Sequence, residues 1–145
     1  MRCCWWSLPD VSSMPSTEPQ FSHRRLWLLV GWVLVAAVIY VSLTPKPPDV
    51  GIRINDKFSH LAAYAVLMGW FCQLYWQRGA RLRNGLLLVA MGIALEIAQG
   101  LGQHRMFEYA DMLANTLGVL AGWALARGPL SRLLLRFEAM LPAHN

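Results

Sequence analysis

His60, Glu96 and Asp111 are ionisable side chains set within or at the edge of apolar stretches, and each has a companion at helical spacing: Tyr64, Gln99 and Asn115. Residues three or four apart lie on one face of a helix, so each pair would present its polar atoms together. Lys57 precedes the second apolar stretch, and Arg105 stands with His104 in the polar loop before the fourth. A histidine with two carboxylates can serve as acid and base, or hold a divalent metal. With Lys57 and Arg105 the same set can fix a phosphate or carboxylate. The candidate ligand-binding residues are Lys57, His60, Glu96, Gln99, Arg105, Asp111 and Asn115, and His60, Glu96 and Asp111 are the candidates for any catalytic step. No residue is assigned as a metal ligand, and no cofactor is identified.

The elements that must position these residues are read from the apolar blocks. Residues 26–43 carry no charge and, as a helix, would be ~27 Å long, enough to cross a bilayer core. The run exceeds the ~7–15 apolar residues of a signal peptide and no small-residue cleavage site follows, so it is read as a retained helix. Phe58 to Trp76, Gly85 to Leu101 and Tyr109 to Ala126 are three further spans, the second beginning at a cap on Asn55 or Asp56. On the fourth, Gly118 and Gly122 extend the face of Asp111 and Asn115 and would let a neighbouring helix approach closely. After Gly128-Pro129, apolar residues from Leu130 to Leu141 recur at helical spacing, which predicts a short amphipathic helix on the membrane surface. The expected fold is all-α: a polytopic four-transmembrane-helix bundle over residues 23–128, a disordered Ser- and Pro-rich tail over 1–22 (with Met14 as an alternative start) and an amphipathic tail over 129–145.

Composition agrees with a membrane protein: 56% of residues are hydrophobic and 14% charged, against ~25% charged in soluble domains. The formal charge of +5 does not point to nucleic acid, because the arginines flank apolar blocks instead of forming a stripe. Cys3, Cys4 and Cys72 have neither a disulfide framework nor metal-ligand spacing. Of the thirteen Lys and Arg residues, nine fall with the termini and the Arg78–Arg83 segment and four with the two other loops. The positive-inside bias then places both termini in the cytoplasm. On that topology Glu96 lies ~7.5 Å inside the outer boundary, and His60, Gln99, Asp111 and Asn115 sit in the same outer third. Polar groups from three helices would meet beneath an outward-facing mouth. An intramembrane carboxylate costs ~2.5–3.5 kcal/mol to insert, whereas interhelical polar contacts return only ~0.6 kcal/mol on average. A functional site outweighs simple helix glue.

The stretches Asp56-Lys57-Phe58-Ser59-His60 with Tyr64, Glu96-Ile97-Ala98-Gln99, and Arg105 to Asp111 with Asn115, Gly118 and Gly122 resemble the VanZ-like family of small polytopic membrane proteins. The likeness covers about residues 43 to 126; members often carry Asp where Glu108 stands. It implies a bacterial cytoplasmic-membrane protein of the cell envelope, in a family named after a protein associated with low-level teicoplanin resistance.

Three functions compete. The first is an envelope factor that binds a lipid headgroup or cell-wall precursor through Lys57, Arg105 and His60, with Glu96 and Asp111 orienting them. The second is an intramembrane acid/base or metal-dependent enzyme acting on a lipid-linked phosphate or ester, although HExxH, GxSxG and a nucleophile beside the cluster are missing. The third is a proton-linked carrier, for which a homo-oligomer would have to supply polar groups in the inner half.

Overall fold

The computed structural model describes residues 21–44, 56–101, 108–128 and 130–140. Among the described residues there are five helices: α1 (Arg24–Leu43), α2 (Asp56–Leu74), α3 (Arg78–Leu101), α4 (Tyr109–Leu125) and α5 (Leu133–Glu138). Among the described residues there is no strand. The expected cap on Asn55, the loop carrying His104 and Arg105, and the tail over 1–20 lie outside them.

α1 is a continuous apolar run that stops where Thr44 turns extended, its hydroxyl and N–H both donating to the Tyr40 carbonyl. α3 starts at Arg78, seven residues before the apolar stretch that announces it. Hydropathy marks where a helix is greasy and not where it begins, and nothing from Arg78 to Asn84 forbids helix. Arg81 has a task in that extra turn: its guanidinium donates to the Cys72 carbonyl at 3.0 Å and the Tyr75 carbonyl at 2.8 Å. These are among the carbonyls that the end of α2 leaves without helical partners.

Successive long helices run antiparallel. The end of α1, the start of α2, the end of α3 and the start of α4 meet at one end of the molecule, tied by contacts such as Gln99 to Ser42 and Lys57 to Glu108. α2 is central, and its most extensive contact is with α4. A Cβ on Gly118 would collide with the Leu61 carbonyl, and one on Gly122 with the Ala65 carbonyl and the Gly69 N–H. The small-residue face read from the sequence is therefore a seam where two backbones touch.

The exterior is apolar, and polar side chains are buried beside an apolar core. Leu86, Leu113 and Leu120 are each more than half exposed, while Glu96, Gln99, Asp111 and Asn115 are buried. By length and composition α1 and α3 can each cross a membrane. α4 has only 17 residues, and α2 carries polar residues near both ends, so the other two expected spans do not meet that measure.

At the opposite end α5 docks against the long helices. Leu134 packs with Phe21, Trp27 and Leu74 in a buried cluster. Gln73 donates to the Leu130 carbonyl and accepts from the Leu134 N–H. Glu138 accepts from the His23 N–H at 2.8 Å and the Trp27 indole at 3.3 Å. Trp27, which its position suggests is an interfacial anchor, is instead buried edge-on against Trp70 and Phe137. Glu138→Ala would leave those donors without their acceptor, at about 1–3 kcal/mol. The expected outcome is faster hydrogen exchange over residues 130–140 with α2 and α4 unchanged; equal protection in both proteins would refute the clasp.

Candidate functional site

The site is assembled at the end where α2 and α4 begin and α3 finishes. Asp56, Lys57 and His60 occupy the first turns of α2, and Asp111 and Asn115 the first two turns of α4. The glycine seam directly below, with Gly118 on Leu61, sets how close these turns come.

His60 is the hub. Its Nδ1 lies 3.1 Å from Asn115 Oδ1. An amide oxygen only accepts, so the hydrogen bond forms in the tautomer with the proton on Nδ1, and the other nitrogen is turned toward carboxylates. His60 Nε2 is 3.8 Å from Asp111 Oδ2 and 4.0 Å from Asp56 Oδ1. Lys57 Nζ donates to Glu108 Oε2 at 2.6 Å and stands 3.7 Å from Asp111 Oδ1. The hydrogen bond to Glu108 raises the lysine pKa above its ordinary 10.5, so the ammonium is charged at neutral pH and loses its proton only as pH climbs through the raised value. One ligand atom each from Asp56, His60 and Asp111 lies within 4.8 Å of the others. These three could hold a metal ion.

Of the residues singled out in the sequence, the structure brings Lys57, His60, Asp111 and Asn115 together. Glu96 is adjacent but otherwise engaged, since its Oε1 accepts the Glu108 backbone N–H at 2.8 Å. It completes the start of α4 and, among the described residues, is not paired with His60. Gln99 reaches away from the cluster to the Ser42 carbonyl at 2.6 Å, joining α3 to α1. Arg105 lies outside the described residues. Tyr64 does not hold the His60 ring, a role taken by Asn115. Its hydroxyl is buried without a hydrogen-bond partner, and it flanks Gly92 with the Asn115 amide.

Sequence reasoning passed over three residues. Asp56 reads from the sequence as a cap and Glu108 stands in a polar stretch without a role, whereas both carboxylates face the cluster. Gln73 is a polar exception in an apolar stretch, the same signal that flagged Gln99, and it holds α5. A cavity of about 620 Å³ lies at the far end, among Gly69, Trp70, Gly122, Leu130 and Phe137. No titratable group lines it, so the chemistry stays with His60.

Fold and site together define an all-helical protein of membrane character, apolar outside and polar within at one end. The chain belongs to the VanZ/LLP1 family, which matches residues 10–135; this is a longer stretch than the motifs alone cover. It is also similar to an uncharacterized protein of Schizosaccharomyces pombe, 29% identical over 101 residues, covering 68% of this chain and 60% of that protein. The chain thus spans under two thirds of that relative's length. No solved structure matches.

Proposed function

We propose that this protein crosses the membrane four times with both termini in the cytoplasm and binds the anionic headgroup of a membrane lipid or lipid-linked cell-wall precursor from the outer side. The observation that carries the reading is the convergence of Lys57, His60, Asp111 and Asn115, drawn from two helices, at one end of an otherwise oily molecule. Ionisable groups retained at membrane depth usually face a bundle interior and act on something. Lys57 and, by the sequence, Arg105 would contribute hydrogen-bond donors to a phosphate, and the buried residues set the position of Lys57. By the resemblance the membrane is the bacterial cytoplasmic one and the role belongs to the cell envelope, with glycopeptide susceptibility as its outward sign.

The test is binding of a lipid phosphate by the purified chain in nanodiscs, read by native mass spectrometry. Lys57→Ala and Arg105→Ala should each weaken binding roughly 10- to 150-fold, the loss expected for one charge-assisted hydrogen bond of ~1.5–3 kcal/mol. Equal binding by the double variant would overturn the proposal. A second reading, acid/base catalysis on a lipid-linked phosphate or ester, draws on the wiring of His60 between Asn115 and Asp111. It requires turnover by the wild type that His60→Ala abolishes while the protein stays folded.

A further inference from the structure

The described mouth holds four carboxylates, Asp56, Glu96, Glu108 and Asp111, against one lysine and one histidine. An anion approaching Lys57 therefore meets carboxylates already gathered around it. Local charge has to be supplied from elsewhere, and the geometry indicates where.

We propose that Asp56, His60 and Asp111 bind a divalent transition-metal ion of the zinc or manganese type. The tautomer is the first argument. With Nδ1–H directed at Asn115 Oδ1, the Nε2 atom faces two carboxylate oxygens. A metal-bound histidine characteristically donates its other N–H to a neighbouring carbonyl or carboxylate oxygen, which fixes the ring. Asn115, 3% exposed, is that partner.

Spacing is the second argument. Separations of 3.8 and 4.0 Å are too long for a hydrogen bond from a protonated ring. Ligand atoms bound tetrahedrally at ~2.1 Å stand roughly 3.4 Å apart, so the set closes on an ion by small side-chain rotations. The third is Asp111 itself, 7% exposed. Its Oδ1 is buried without a hydrogen bond, and the Lys57 ammonium stands 3.7 Å off. Lys57 pairs with Oδ1, which leaves Oδ2 facing His60 Nε2, and an ion would bind on that side.

Two carboxylate oxygens and an imidazole suit zinc or manganese better than calcium, which takes six to eight oxygens. Three protein ligands leave a coordination position open toward the mouth, where a phosphate oxygen could enter. The cation site rests on its own geometry; its part in recruiting a phosphate rests on the proposed function.

The experiment is zinc titration of the purified full chain in nanodiscs, with bound metal counted by elemental mass spectrometry. Wild type should bind one zinc per chain. Asp56→Asn, at the exposed rim, and His60→Gln should each lose at least nine-tenths of it, and Asn115→Ala should weaken affinity ~10–100-fold. Cobalt should give a visible absorption band with wild type that Asp56→Asn removes, a signature that a role in folding alone would not produce. No saturable zinc in wild type, or equal zinc in both ligand variants, overturns the site. Lipid-phosphate binding measured with and without zinc separates the two ideas. Phosphate bound without any saturable zinc defeats the cation site alone. One zinc per chain with no phosphate bound in either state upholds the cation site and defeats the proposed function.

Discussion

Gly122→Val is expected to abolish the folded protein. The added side chain would have to occupy the space of the Ala65 carbonyl and the Gly69 N–H, which are helix backbone and cannot rotate aside. Overpacking a tight site typically costs 1–3 kcal/mol or about that, and more when backbones must part. Parting α2 from α4 would also separate His60 from Asn115, so loss should extend to the polar end. The check is size-exclusion chromatography and thermal melting in detergent, with Gly79→Ala as the control. No neighbouring atom stands near a Cβ at Gly79, and alanine gains up to ~1 kcal/mol of helix propensity. A Gly122→Val protein that melts with the wild type would show that the seam is not close-packed.

The second large effect concerns Glu96. Its carboxylate accepts the Glu108 N–H within a buried environment, and Glu108 in turn holds Lys57. Glu96→Leu leaves that N–H without its acceptor and should cost about 1–3 kcal/mol, with the start of α4 fraying and Asp111 losing its fixed place. Glu96→Gln keeps an acceptor oxygen at the same reach and should remain folded, close to wild type. Melting temperature and hydrogen exchange at residues 108–112 report the difference. If glutamine is as damaging as leucine, the negative charge matters beyond this hydrogen bond, and Glu96 returns to the candidates for chemistry.

What could be read from the sequence was whatever disturbs an apolar background. Glu96, Gln99, Asp111 and Asn115 stand out in greasy stretches, and all four are buried. The small face of Gly118 and Gly122 was legible because absent side chains at a spacing of four have few other uses. Partners were harder. Gln99 finds the Ser42 carbonyl and Glu96 the Glu108 N–H, and a backbone group has no residue type to betray it. Asp56 escaped because a carboxylate at a helix start already has an explanation as a cap. The docking of α5 was hidden for a different reason. Its pattern is equally that of a surface helix, and only the paired polar groups Gln73 and Glu138 distinguish a helix held by protein from one resting on lipid.

The contact of Gly118 with the Leu61 carbonyl lies one residue along from His60 and three from Asn115. Locked backbones so near the hub make α2 and α4 a single lever, able to tilt together but not to slide past one another. Among the described helices, any gate over the ionisable groups must then be cut from elements other than these two, such as α3. The histidine and its amide would keep their mutual distance through opening and closing, as a fixed jaw against which the rest moves.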